Sequence, residues 1–188
     1  MKSFLTFMAA LLVATAAQAT PETYVIDNMH TFPRFEFSHL GLSTQQYRFD
    51  KTSGSITIDS DLMTGSADIR IDARSVNTGI PIFNEHIQAD DFFDTKKYPE
   101  IVFTSNEFMF DGPKVVALNG QLTLKGITKP VTLTLTSFNC MKHPMENKDA
   151  CGANAVATIN RSEFNMGKYV PLVGDKVTLT IAIEAIKK

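Results

Sequence analysis

The sequence lacks an excess of charge of either sign. Its 188 residues contain 18 lysines and arginines against 20 aspartates and glutamates, a formal net charge of −2 at pH 7. This near-neutral balance provides no electrostatic footprint for nucleic acid. There is also no cluster of basic residues that would hold an anionic membrane surface. We therefore expect no nucleic-acid partner.

Long apolar runs are absent after the first nineteen residues. The N-terminus carries Lys2, an apolar run over residues 4–14, and the sequence Ala17-Gln18-Ala19. The run is short for a membrane span, and its small-x-small ending is typical of a cleaved secretory signal peptide. We expect residues 1–19 to be removed on export and residues 20–188 to form one domain with a substantial core. A retained membrane anchor is the alternative.

Cysteine is scarce, and the two present are Cys140 and Cys151. In an exported chain, a pair at this short spacing predicts a local disulfide, placed here in a surface loop. Closing so small a loop stabilises the fold by about 2.5–3 kcal/mol in the chain-entropy model. A redox-active pair is an alternative, but there is no C-x-x-C arrangement. A metal site would have only His143 between the cysteines.

Recognisable catalytic and metal-binding motifs are also missing. No two histidines have the i, i+4 spacing of a helical zinc site, and there is neither a G-x-S-x-G sequence nor a phosphate-binding glycine loop. Ser38 and His39 are neighbours on a predicted strand, so their side chains point to opposite faces and cannot form a dyad. We predict no catalytic residue, no metal and no cofactor, and hence no enzyme.

Alternation of apolar and polar residues is the main pattern that is present. Val131, Leu133 and Leu135, for example, alternate with threonines. Such a period of two predicts strands with one face in apolar surroundings. The predicted strands are residues 23–27, 34–39, 54–59, 68–73, 100–106, 115–124, 131–136, 154–160 and 177–184. This pattern is typical of both sandwiches and closed barrels.

Local signals mark turns and one helix. Pro81 followed by Ile82, Phe83 and Ile87 predicts a short helix, and residues 90–93 predict the start of a second helical turn. Residues 111–113 and 125–130 predict turns. The sequence Asn119-Gly120 is a strong hairpin signal. We nevertheless expect the strand to continue through it, with a bulge at Gly120, because a better turn follows directly.

Phenylalanine is abundant, with fourteen residues, while tryptophan is absent. Those that cluster in the N-terminal two-thirds include Phe32, Phe35, Phe37, Phe92, Phe93 and Phe103. Ordinary core packing is one interpretation. A small β domain has limited room for so many rings, so an apolar cavity is the other.

Seven segments, in order along the chain, resemble the YceI-like family of lipid- or polyisoprenoid-binding proteins. They are Tyr24-Val25-Ile26-Asp27 with His30, Phe35-Glu36-Phe37-Ser38-His39-Leu40-Gly41, Ser75-Val76-Asn77-Thr78-Gly79, Asp91-Phe92-Phe93-Asp94 with Lys97-Tyr98-Pro99, Phe103-Thr104-Ser105, the run from Gly120 to Val131, and Ile159-Asn160-Arg161-Ser162-Glu163-Phe164. Each is weak alone, but the ordered set is specific. One departure matters: Asn84-Glu85 stands where the family often has Arg-Asp, so a head-group contact by that arginine is not carried over.

The resemblance implies an all-β, lipocalin-like antiparallel barrel of eight or nine strands with a short helix near one mouth. It also implies a periplasmic address and a tubular cavity for a polyisoprenoid, quinone-type or fatty lipid. Together with strand alternation, it predicts a cavity wall that includes Phe35, Phe37, Leu40, Ile69, Ile71, Phe92, Phe93, Phe103, Leu133 and Leu135.

Three functions fit this sequence. The first is a lipid carrier that makes transient contact with a membrane or a membrane protein. The second is a stress-related interaction module whose barrel is filled by its own side chains. The third is a lipid-modifying enzyme. A carrier needs an apolar tube, whereas an enzyme needs a base and a nucleophile within hydrogen-bond reach, and the sequence favours the carrier.

Overall fold

The computed structural model describes residues 20–188. The predicted signal peptide, residues 1–19, lies outside this part of the chain. Within residues 20–188, no helix has the length and apolar character needed to cross a membrane.

Strands make up most of the described chain. They are β1 (Glu22–Ile26), β2 (Arg34–His39), β3 (Ser43–Phe49), β4 (Thr52–Asp59), β5 (Thr64–Asp72), β6 (Val76–Asn77), β7 (Glu100–Asp111), β8 (Lys114–Leu124), β9 (Ile127–Lys142), β10 (Asp149–Asn160) and β11 (Val173–Lys187). One helix, α1 (Pro81–Ile87), and two 3-10 turns, Ala73–Ser75 and Arg161–Phe164, complete the elements.

The strands close into an up-and-down barrel. β1 and β2 lie in succession along β11, which pairs with β1 through Ala185 and with β2 through Val177. The pairs β3 with β4 and β5 with β6 are likewise interrupted single strands. The result is eight antiparallel strands, each paired with the next, and closure by β1 against β11. The predicted barrel is therefore confirmed.

Most predicted turns and strand continuities are confirmed. β8 runs through Asn119-Gly120, although the bulge is on β7, where Asn106 is the extra residue. Gly120 is required because a Cβ there would collide with the Phe103 ring and the Thr104 carbonyl oxygen. Lys125 and Gly126 form a two-residue hairpin turn with φ of 51° and 73°, the geometry that matches strand twist.

Two further local predictions were wrong. Strand β3 was not predicted, because five of its seven residues are polar and only Tyr47 and Phe49 provide large apolar side chains. Residues 90–93 are not helical: the amide N–H groups of Phe92 and Asp94 both donate to the carbonyl of Ala89, at 3.0 and 2.9 Å, which forms compact turns. The predicted helix α1 is confirmed, with Pro81 in its first turn.

The barrel has two distinct ends. At the helix end, the connections are residues 40–42, 78–99 (with α1), 125–126 and 161–172. At the opposite end, here called the hairpin end, they are residues 60–63, 112–113 and 143–148. The Cys140–Cys151 pair lies near the hairpin end.

Candidate ligand cavity

The barrel interior contains a cavity of about 220 Å³. Inward-facing residues of β1 to β5 and β7 to β11 line it, together with Ile87, Phe92 and Phe93 from the segment that crosses the helix end. The wall is almost entirely hydrocarbon, and the cavity exceeds the ~150 Å³ of apolar cavities that take up benzene or xenon. An apolar space of this kind favours an apolar ligand over water.

Nine of the ten predicted wall residues line the cavity. They are Phe35, Phe37, Ile69, Ile71, Phe92, Phe93, Phe103, Leu133 and Leu135. Leu40 is not among them: it is half-exposed, with φ of 57°, in the turn after β2, where the chain leaves the barrel wall. Direct contact of these residues with a ligand stays a prediction.

Further residues that were not predicted also line the cavity. Leu179, Ile181 and Ile183 of β11 all line the cavity, although their alternation was visible in the sequence. Phe138 also faces inward, because a bulge at Thr136 shifts the register of β9 against β10. No pattern in the sequence marks that bulge.

Aromatic rings are concentrated toward the helix end. The Phe35 ring lies 5.5 Å from Phe49, 5.7 Å from Phe93 and 6.4 Å from Phe37, centroid to centroid. Phe93 also lies 5.5 Å from Phe49. These edge-to-face, tilted and stacked contacts stabilise the packing beyond area burial alone. Phe93 therefore fastens the segment after α1 onto the barrel.

Few polar groups reach the wall. Thr31 is fully buried, and its hydroxyl both donates to the Glu184 carbonyl at 3.2 Å and accepts from the Glu184 N–H at 3.1 Å. Within residues 20–188, the buried hydroxyl of Thr52 has no hydrogen-bond partner. Arg34 and Arg161 also border the cavity.

Arg161 is buried and binds backbone carbonyls. Its guanidinium donates to the carbonyl oxygens of Gly174 at 2.8 Å, Val173 at 2.7 Å and Lys168 at 2.9 Å, and also to that of Met166. Burial lowers the pKa of the guanidinium, partly opposed by the carboxylate of Asp175. Arg161 thus fastens the 161–172 segment to the barrel.

Lys125 plays a similar part at the same end. Its side chain is buried, and its Nζ donates to the carbonyl oxygens of Asp90 at 2.5 Å and Asn165 at 2.9 Å. The ammonium group therefore ties the β8–β9 turn to both long segments of the helix end. An ion pair between Lys168 and Asp91 joins those two segments directly.

The predicted disulfide is present, but its predicted placement in a surface loop was wrong. Cys140 on β9 lies directly opposite Cys151 on β10, with 4.1 Å between their Cα atoms. The register of the hairpin brings them together, so the bridge belongs to the sheet. Cys151 also lines the cavity.

The Asp27 and His30 pair lies outside the cavity wall. His30 Nδ1 is 2.6 Å from Asp27 Oδ2, and the Met29 N–H donates to Asp27 Oδ1 at 2.8 Å. The hydrogen bond to Asp27 raises the pKa of His30. With Glu184, these side chains offer three ligand atoms within 4.8 Å of one another. Both Asp27 oxygens already accept hydrogen bonds, so the pair acts as a brace for this turn.

Comparison with known proteins agrees with this geometry. The model of the YceI-like domain matches residues 24–185. The protein YceI of Escherichia coli O157:H7 is 32% identical over 190 residues, covering 100% of this chain and 98% of its own. The crystal structure of Burkholderia cenocepacia BcnA is similar with a TM-score of 0.71 and 26% identity, over 85% of this chain and 99% of that one.

The fold alone is shared with a more distant structure. A polyisoprenoid-binding domain from Saccharophagus degradans superposes with a TM-score of 0.68 at 18% identity, over 88% of this chain and 98% of its own. The family model spans nearly all of the barrel, and the E. coli relative matches along nearly its whole length. On this basis the chain belongs to the YceI-like family.

Proposed function

We propose that this protein is a periplasmic carrier that holds one long apolar lipid, of polyisoprenoid, quinone or fatty type, in its barrel. The observation that carries the proposal is the hydrocarbon wall of the 220 Å³ cavity. The polyisoprenoid-binding description of the Saccharophagus degradans domain, which has the same fold, supports the ligand class. The signal-peptide pattern of residues 1–19 supports export.

The shape of the cavity favours a chain over a compact ligand. Its wall follows β11 from Val177 to Ala185. Eight residue steps of about 3.3 Å along a strand tilted by roughly 40° correspond to about 20 Å along the barrel axis. This exceeds the ~15 Å thickness of one hydrocarbon leaflet. A single lipid tail therefore fits lengthwise.

The energetics favour exchange over permanent capture. Burial of apolar surface gains about 25 cal/mol per Å² relative to water. A lipid tail in a membrane is already out of water, so its transfer into an apolar barrel is nearly balanced. Binding without chemistry is the role that such a wall supports, since its side chains are almost all hydrocarbon.

A chain-length series tests the proposal. Delipidated protein is titrated with fatty acids and isoprenols of increasing length. Each added methylene that enters the cavity should raise the affinity about fourfold, since its burial contributes ~0.8 kcal/mol. The increase should stop once the extended chain exceeds about 20 Å. Affinity that does not depend on chain length would refute the proposal.

Export is tested separately. Intact-mass measurement of the protein from its native periplasm should give a chain that begins at Thr20. A retained Met1 on that protein would contradict the signal-peptide prediction without bearing on the lipid.

A further inference from the structure

The connections at the helix end expose large apolar side chains around the end of the barrel. We call this set the apolar rim, and its members are 39% to 82% exposed: Leu40, Leu42, Ile80, Ile82, Phe83, Tyr169, Val170 and Leu172. At roughly 200 Å² of accessible surface per side chain, the summed exposed area is about 900 Å². A typical monomer has a largest apolar patch of ~300–600 Å².

The helix α1 has no buried residue. Its first turn presents Ile82, 67% exposed, and Phe83, 48% exposed, to solvent. Ile87, its last residue, lines the cavity instead. Helix α1 therefore connects the cavity with the outside surface. It exposes apolar side chains at its start and ends in the cavity wall.

The three segments that form the rim contact one another. The Leu40 N–H donates to the Leu172 carbonyl at 2.8 Å, which joins the turn after β2 to the 161–172 segment. The Phe92 ring lies 6.3 Å from the Tyr169 ring, which joins that segment to the residues after α1. The segments that carry the rim are therefore joined to one another beside the cavity.

We propose that the apolar rim inserts into the surface of a lipid bilayer and that lipid enters and leaves the barrel at this end. The inference rests on the proposed carrier function and adds its partner. The rim continues into the apolar cavity wall. A lipid tail that passes from a bilayer over the rim into the barrel therefore stays in apolar surroundings, which argues for a bilayer as the occupant. Tyr169 also brings a tyrosine ring, a side chain that is enriched at the membrane–water interface.

The charge of this end determines the kind of bilayer. The helix-end connections contain five acidic and five basic residues, and two of the basic ones, Lys125 and Arg161, are buried on carbonyl oxygens. Binding is thus driven by apolar insertion, so neutral phosphatidylcholine vesicles suffice and added anionic lipid gives no gain. The turns of the hairpin end expose only Leu62, Met63 and Met145 as large apolar residues.

Flotation with neutral phosphatidylcholine vesicles tests the proposal. The exported protein should float with the vesicles, with less than about twofold change in binding between low and high salt. The double variant Ile82→Ser/Phe83→Ser should weaken this binding by about tenfold or more. The matched variant Leu62→Ser/Met145→Ser, at the hairpin end, should bind vesicles as the unmodified protein does. All four positions are exposed, so folding is expected to survive.

A second readout separates this inference from the carrier function. The Ile82→Ser/Phe83→Ser variant should take up a fluorescent fatty acid from solution normally, but load it from vesicles about tenfold more slowly. Unmodified protein that takes up the probe from solution without floating would overturn the bilayer proposal alone. A dimer that Ile82→Ser/Phe83→Ser dissociates would also overturn it, because a second copy would then cover the rim. Failure to take up the probe at all would refute the carrier function instead.

Discussion

Replacing Ala153 by phenylalanine distinguishes a hollow barrel from a filled one. Ala153 lies on β10 between Phe138 of β9 and Ile183 of β11, and all three side chains line the cavity. A phenyl ring at this position therefore projects into the open space. The substitution Ala153→Phe should both stabilise the delipidated protein and obstruct lipid uptake.

The sign of the stability change is the informative quantity. Burying a phenylalanine side chain in existing space gains up to about 1.5–3 kcal/mol relative to leaving it exposed. Forcing the same ring into a closely packed core costs about 1–3 kcal/mol. The two interpretations of the barrel therefore predict free energies of unfolding that change in opposite directions.

Urea denaturation of delipidated protein measures this difference. Ala157→Phe is the matched control, since Ala157 is a buried residue of the same strand that does not line the cavity. It should lower the free energy of unfolding. If Ala153→Phe destabilises the protein as much as Ala157→Phe, or leaves lipid uptake unchanged, the hollow-barrel account is wrong.

Three further predictions concern stability. Arg161→Met should lower the free energy of unfolding in urea by about 3–5 kcal/mol, because buried carbonyls lose their donor. The control Arg74→Met, at an exposed ion pair, should lower it by less than ~1 kcal/mol. Similar losses in the two variants would contradict the role assigned to Arg161. Cys140→Ala should lower stability by about 2.5–3 kcal/mol, and a reductant should bring the unmodified protein to the same value while leaving the variant unchanged. The contact with Asp27 raises the pKa of His30. The contribution of this contact to the stability of the folded protein is therefore complete below about pH 6.5 and is lost as pH rises through the raised pKa. Thermal denaturation from pH 6 to 8 should show this loss, and His30→Asn should abolish it.

The alternation of side chains correctly predicted which face of several strands points into the barrel. A period of two assigned Ile69 and Ile71 to one face, and Leu133 and Leu135 to another, and all four line the cavity. Alternation could not predict that the sheet closes into a barrel, since the strands of a sandwich and of a barrel share the same period. Closure depends on the pairing of β1 with β11, between strands at opposite ends of the chain.

Register irregularities and long-range contacts account for what the sequence did not reveal. Strict alternation in β9 would place Ser137 inward, but the bulge at Thr136 turns Phe138 inward instead. Lys125 is buried because carbonyl oxygens 35 and 40 residues away accept its hydrogen bonds. Arg161 is buried because carbonyl oxygens of the segment that follows it do the same. Every residue carries such a carbonyl, so no sequence motif identifies those partners.

The most direct test of the account is to identify what the protein carries in its own host. Protein purified from that host without detergent is analysed by native mass spectrometry, and its bound material is then extracted and identified. The account predicts one lipid per chain with a tail long enough to fill about 20 Å of barrel. Protein that emerges empty, and that after delipidation takes up neither isoprenoid nor fatty lipid, would contradict it.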